Sequence, residues 1–208
     1  FLVICPAASK AERNWLPVRY AAVADYASNL GFQVLLCGGP TPLERQLRDD
    51  ILQSAQCTIV DLVGKTSLKQ LLAMLRAATV VIAPDTGPAH MAVTVGTPVI
   101  GLYGHSNPER TGPYLYRHYV VETYHAELKR QTGKTAAEVK FGTRVKGEHI
   151  MAQISVEAVT SMLERVIEEQ ARGDASRAEA VRQAVVAVIG DNLRSVVPGS
   201  PESARLKK

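Results

Sequence analysis

Val80-Val81-Ile82-Ala83-Pro84-Asp85-Thr86-Gly87-Pro88-Ala89-His90 passes from an apolar run through a polar corner. Thr79–Ala83 is short and continuously apolar, the pattern of a strand buried on both faces. Asp85–Val95 reads as a loop and a short helix, which Gly96 ends. A strand that turns at once into a helix is the building block of a parallel sheet. In such sheets ligands bind outside the carboxyl ends of the strands.

The flanking sequence repeats this alternation. Phe1–Cys5, Gln33–Cys37, Thr58–Leu62 and Val99–Tyr103 are further apolar runs of strand length, and Tyr119–Glu122 is a sixth candidate. Pro17 opens a helix to about Leu30, with Ala22, Tyr26 and Leu30 on one face and Gly31 as its stop. Thr41-Pro42-Leu43-Glu44 combines a capping box with proline at the first helical position, and that helix ends near Ala55. Ser67-Leu68-Lys69-Gln70 is a second capping box, with Leu68, Leu71, Leu72 and Leu75 at helical spacing. Strands alternating with helices imply right-handed crossovers and an α/β fold, a Rossmann-like doubly wound parallel sheet.

Residues 123–153, rich in charge and glycine, read as a variable loop. Ser155–Gln170 is an amphipathic helix with Val156, Val159, Leu163, Val166 and Ile167 inward. Gly173 is expected to break it, and Ser176–Leu193 forms another, with Val181, Val185, Val188 and Ile189 on one stripe. From Pro198 a disordered tail is expected. The expected division is therefore a Rossmann-like domain over residues 1–170 and a C-terminal helix with tail over 171–208.

Of the 208 residues, 46% are hydrophobic and 21% charged, enough for a packed core. The net charge of +4 is spread along the chain with no basic cluster interleaved with aromatics, so no nucleic-acid partner is expected. The three cysteines show no metal-ligand spacing. Cys5 and Cys37 lie in strand runs, which suits buried free thiols in a reducing, cytoplasmic setting. There is no apolar stretch of bilayer length and no signal peptide pattern. The chain opens on what reads as a core strand, so a preceding N-terminal portion is expected.

The corner after the fourth strand is the main candidate site. A helix N-terminus there offers free N–H groups and a positive dipole end, Thr86 adds a hydroxyl, and Gly87 permits close backbone approach. Together these suit a diphosphate, with His90 one turn further in as an added donor. Asp85 has two readings: N-cap of the helix, or partner of a sugar hydroxyl beside the diphosphate. The loop after the first strand brings Ser9, Lys10 and Arg13, and arginine offers a bidentate fork to phosphate. Trp15 reads as a packing anchor. Gly38-Gly39-Pro40 and Gly64-Lys65-Thr66-Ser67-Leu68 are candidate walls for an adenosine moiety. Glu44 is either a ribose acceptor or a capping residue. Gly104-His105-Ser106-Asn107-Pro108-Glu109-Arg110 borders the same end of the sheet. There is no P-loop, no GxGxxG after the first strand and no Gly-x-Ser-x-Gly elbow, which argues against NTPase, ordinary dinucleotide oxidoreductase and hydrolase readings.

Val80–Ala92, its continuation Gly96-Thr97-Pro98-Val99-Ile100-Gly101-Leu102-Tyr103-Gly104, and Asn107-Pro108 resemble the signature of the ADP-heptose:lipopolysaccharide heptosyltransferase family. So do Arg13 two residues before Trp15 and Gly38-Gly39-Pro40. The resemblance covers residues 1–122 and, more loosely, 155–170. It implies the C-terminal, donor-binding half of a two-domain GT-B fold. It further implies an ADP-heptose donor, a lipopolysaccharide inner-core acceptor, inversion at the anomeric carbon, and no metal or other cofactor. By position, Ser9, Arg13, Thr86 and Gly87 would contact the diphosphate, Asp85 the heptose, and His90 would support the phosphate loop. The general base would lie in an N-terminal acceptor domain. The family often has Lys where Arg13 stands and Pro where Leu16 stands. Peripheral association with the inner face of the inner membrane and a homodimer through the C-terminal helices complete the expectation. Two other readings share the pattern: a GT-B-like sugar-nucleotide epimerase and a non-catalytic nucleotide-sugar-binding module.

Overall fold

In the computed structural model of the chain, the backbone is described for residues 1–196. Side chains are described through Ser176, with Glu179, Ala180 and Gln183 beyond it. The expected tail from Pro198 lies outside the described residues. So do the side chains of Val181, Val185, Val188 and Ile189, the expected dimer stripe.

Six strands form the sheet among the described residues: β1 (Leu2–Ile4), β2 (Val34–Leu36), β3 (Ile59–Asp61), β4 (Val80–Pro84), β5 (Val99–Tyr103) and β6 (Val121–Glu122). All pair in parallel in the order β3-β2-β1-β4-β5-β6. This is the doubly wound order, whose direction of growth reverses between β1 and β4. Leu2 pairs with Val34 on one side and Val80 on the other.

Successive residues in a strand face opposite ways. Val3, Leu35, Val81 and Val99 join Leu71, Leu75, Ala89 and Ala92 in one core layer. That layer belongs to α3 (Leu68–Ala77) and α4 (Gly87–Thr94), which follow α1 (Pro17–Asn29) and α2 (Pro42–Ser54) in the chain. Leu2, Ile4, Leu36, Ile82 and Ile100 are equally buried on the other face. Each such side chain contributes roughly 1.5–3 kcal/mol by leaving water. Because both faces are covered, the strands lack apolar–polar alternation.

Helix starts follow the chemistry of their caps. Ser67 and Gln70 make a full capping box at α3. At α2 only half of the expected box forms. The Thr41 hydroxyl accepts from the Glu44 N–H (3.3 Å), while the Glu44 carboxylate accepts from the Gly39 N–H instead (2.7 Å).

Three expectations are corrected. The buried face of α1 carries Tyr20, Ala21, Val23, Ala24 and Ala27, whereas Leu30 is 46% exposed. An alanine-rich helix presents small apolar residues all round, so spacing alone does not choose its inner face. Gly173 does not break the last helix: α7 runs over Val156–Val196. A lone interior glycine costs about 1 kcal/mol but removes no hydrogen bond, and no proline accompanies it. Residues 123–153 are ordered rather than a featureless loop. After α5 (Pro108–Thr111), α6 (Tyr124–Thr132) packs Tyr124 and Leu128 against Val145 and Ile150, with 3-10 turns at Ala136–Glu138 and Met151–Gln153.

The chain divides into two compact units, Phe1–Val166 and Ile167–Lys208. No helix among the described residues is long and apolar enough to cross a membrane.

Candidate functional site

The site lies at the β1/β4 reversal. After β1 the chain forms a loop closed by the Asn14 side chain, which accepts from the Ala8 N–H at 2.7 Å, and by a 3-10 turn at Ala11–Arg13. After β4 it turns into α4. The Thr86 hydroxyl donates to the Ala7 carbonyl at 3.0 Å and joins the two corners. That hydroxyl is therefore engaged within the protein; the remaining donors of this corner are the backbone amides at the start of α4, where Pro88 has none.

Arg13 and Asp85 meet across this seam. One Arg13 Nη lies 3.6 Å from the Asp85 carboxylate and the other donates to Ser9 Oγ at 2.7 Å. Their side chains are only 12% and 14% exposed, so both charges are largely desolvated and held in place. His90 Nε2 approaches the other Asp85 oxygen at 4.0 Å and stays half exposed. The N-cap reading of Asp85 does not hold. Thr86 occupies the cap position, without a side-chain cap bond, and Asp85 turns to Arg13 because a guanidinium is the stronger partner.

On the β2/β3 side of the corner a cleft of about 370 Å³ opens, within the range of small-molecule sites. Gly38, Gly39, Pro40 and Glu44 form one wall, Thr66, Ser67 and Leu68 another, and Thr86, Gly87 and Pro88 the third. Leu68, spaced as a core residue, is 73% exposed and stands on the rim. A Cβ at Gly39 would come within 2.8 Å of the Glu44 carboxylate, so a side chain there would displace that carboxylate from its bond to the Gly39 N–H. Cys5 and Cys37 form the floor. Burial pushes the Cys37 thiol up to about 11, and burial, with Cys37 and Glu44 nearby, holds Cys5 well above the ordinary thiol value. At neutral pH both are neutral thiols, an apolar floor rather than nucleophiles.

On the β5 side Arg13 and Asp85 border a second, small cavity with Tyr103, Gly104, His105, Ser106 and Met151. Burial, with Asp85 nearby, raises the Tyr103 phenol, which donates to the Thr111 carbonyl at 2.7 Å and stays protonated. Met151 belongs to the stretch read as a variable loop. Its place in this wall has no signal in the sequence, because it comes from packing between segments far apart in the chain.

Of the sequence candidates, Thr66, Glu44, Thr86 and Gly87 thus line the large cleft, and Arg13 and Asp85 the small one. Ser9 and His90 flank the Arg13–Asp85 pair. Lys10 is exposed at the start of the 3-10 turn. Trp15 is the expected anchor: 1% exposed, edge-on to Tyr20, its indole N–H donating to the Ile154 carbonyl at 3.0 Å. The corner can thus present amide donors and a cation to an anion, between an apolar-floored cleft and a small polar one.

The chain as a whole is similar to known proteins. The chain is similar to the lipopolysaccharide core heptosyltransferase OpsX of Haemophilus influenzae, 39% identical over 165 residues, covering 79% of this chain and 48% of the relative. Among solved structures it is similar to a glycosyl transferase family 9 protein of Veillonella parvula, with TM-score 0.64, 27% identity, and coverage of 81% of this chain and 46% of that one. It shares its fold with the ADP-heptose lipopolysaccharide heptosyltransferase II of E. coli, with TM-score 0.63, 22% identity, and coverage of 81% and 46%. The chain therefore spans about half the length of the relatives it matches. The family model for glycosyltransferase family 9 (heptosyltransferase) matches residues 1–140, the stretch that builds both cavities' main walls, and the chain belongs to that family.

Proposed function

We propose that this chain is the donor-binding half of a heptosyltransferase that moves heptose from ADP-heptose to the inner core of lipopolysaccharide with inversion. The observation that carries the reading is the junction of Arg13 with the Asp85–Gly87 corner between a large cleft and a small polar one. Adenosine occupies the large cleft against Thr66 and Glu44, and the diphosphate lies over the α4 amides at Thr86 and Gly87. Ser9, Arg13 and His90 supply further donors, and Asp85 meets the sugar.

An acceptor hydroxyl attacks the anomeric carbon, a new C–O bond forms, and the bond to the diphosphate oxygen breaks. The hydroxyl proton passes to a base in an acceptor domain outside this chain, and ADP leaves with the bonding electrons. Negative charge grows on the departing diphosphate, so fixed donors aimed at it lower the barrier. Arg13 has five N–H groups and uses few of them within the protein, which leaves donors for phosphate. The reading includes no metal, so chelation with EDTA should leave donor affinity unchanged. Free buried thiols fit a cytoplasmic enzyme, and a lipid-borne acceptor places it at the inner face of the inner membrane. A homodimer through the C-terminal helix belongs to the same reading, and sedimentation of the chain tests it.

Calorimetry with ADP-heptose, ADP and UDP-GlcNAc tests the donor assignment. ADP-heptose should bind tightest and UDP-GlcNAc least. Preference for UDP-GlcNAc would replace the reading with a sugar-nucleotide epimerase.

A further inference from the structure

Among the described residues, two buried side-chain polar atoms have no hydrogen-bond partner: Arg13 Nε and Ser106 Oγ. Buried polar atoms are normally paired, and each exception calls for a cause. Both orphans belong to residues on the wall of the small cavity beside Asp85.

The position of Ser106 is held from both sides. A Cβ on Gly104 would come within 2.7 Å of Met151 Sδ and 2.9 Å of Ile150, so the chain before Ser106 is pressed against that segment. The Val145 N–H donates to the His105 carbonyl at 3.1 Å, and His105 Nδ1 lies 3.1 Å from the Val145 carbonyl. After Ser106, the Asn107 side chain accepts from the Glu109 N–H at 2.9 Å. A loop pinned this firmly has no freedom to hide a spare hydroxyl, and Ser106 is 4% exposed.

We propose that Ser106 is a specificity-determining residue for the donor sugar: its hydroxyl and the Arg13 Nε–H together hold one hydroxyl group of the sugar that is transferred. The inference rests on the donor-binding reading above. The cavity measures about 10 Å³, roughly the room one water-sized oxygen needs, which suits a single hydroxyl. A phosphate oxygen would satisfy both donors, but the Asp85 carboxylate on the same wall repels it. A sugar hydroxyl accepts from the Arg13 Nε–H and the Ser106 hydroxyl and donates to Asp85, so it satisfies every group present.

The test is calorimetry of the chain and its Ser106→Ala variant with ADP and with ADP-heptose, together with their melting temperatures. Ser106→Ala should bind ADP within about twofold of the parent and ADP-heptose roughly tenfold more weakly, the effect of one lost hydrogen bond. Its Tm should be no lower, because the alanine removes an unpaired polar atom. Unchanged ADP-heptose affinity would make the cavity a water site and overturn the proposal. An equal loss for both ligands, or a fall in Tm, would make Ser106 a structural residue and overturn it as well. If the parent chain bound neither ligand, the donor-binding reading itself would fail, a result distinct from any difference between parent and variant.

Discussion

Arg13 sits between a carboxylate and a hydroxyl, and its charge is held rather than free to swing. A preorganised cation needs little rearrangement when charge develops on a leaving group, which is why such donors weigh heavily in transition states. Arg13→Ala in the full-length enzyme is expected to lower kcat by roughly 10²-fold. Steady-state kinetics checks this, and unchanged rate and donor affinity would remove Arg13 from the mechanism. Gly87 allows a cleaner test. A Cβ there meets nothing within 4 Å in the protein. Gly87→Val should therefore leave Tm nearly unchanged while weakening ADP binding at least tenfold by calorimetry, since the added methyls fill the space over the α4 amides. The types of these residues could be read from the chain, because each lies in the segment that directly follows a strand. Their partners could not. Asp85 could be assigned to a cap or to a sugar, and only the structure removes the cap, by placing Thr86 at the cap position and Asp85 beside Arg13.

At the scale of elements, α6 shows how a charged, glycine-bearing stretch becomes part of the scaffold. Glu127 is 3% exposed, and bonds from Arg130 and Gln131, with Gln153 added, hold its carboxyl down at about 2, against an ordinary value of 4.5. A carboxylate favoured in this way stabilises the fold fully above pH 4.5. Its contribution disappears as the pH falls through about 2, where both states bind the proton. Glu127→Gln should therefore melt below the parent at pH 7, and the gap should close between about pH 5 and pH 2 in a series of thermal melts. A constant gap across that range would mean that the charge is irrelevant. The cluster of Tyr124, Leu128, Val145 and Ile150 escaped the sequence reading because its members are separated by charged residues that share no periodicity. The continuity of α7 through Gly173 escaped for the opposite reason: a local penalty was read as a stop, although the hydrogen bonds of a helix act cooperatively and outweigh one weak residue.

At the scale of the molecule, Trp15 joins regions that are far apart in the chain. It leaves the β1 loop, packs edge-on against Tyr20 and donates to Ile154, while Arg19 donates to the Ala152 and Ile154 carbonyls beside it. Trp15→Ala should cost about 3–5 kcal/mol, the usual penalty for emptying a buried aromatic site. Urea denaturation measures it, and a loss below about 1 kcal/mol would show that the anchor is dispensable. The parallel α/β fold and the family were legible from the chain alone, and the sheet order and the family comparison agree with them. Such features follow from contiguous patterns: apolar runs of strand length, caps, and turn residues a few positions away. Which face of α1 is buried, how Met151 and Ser106 come to wall a cavity with Arg13, and which polar atoms are left without partners were settled by packing. Those outcomes depend on distances between segments up to 139 residues apart, as between Trp15 and Ile154, and no local pattern in a one-dimensional string encodes them.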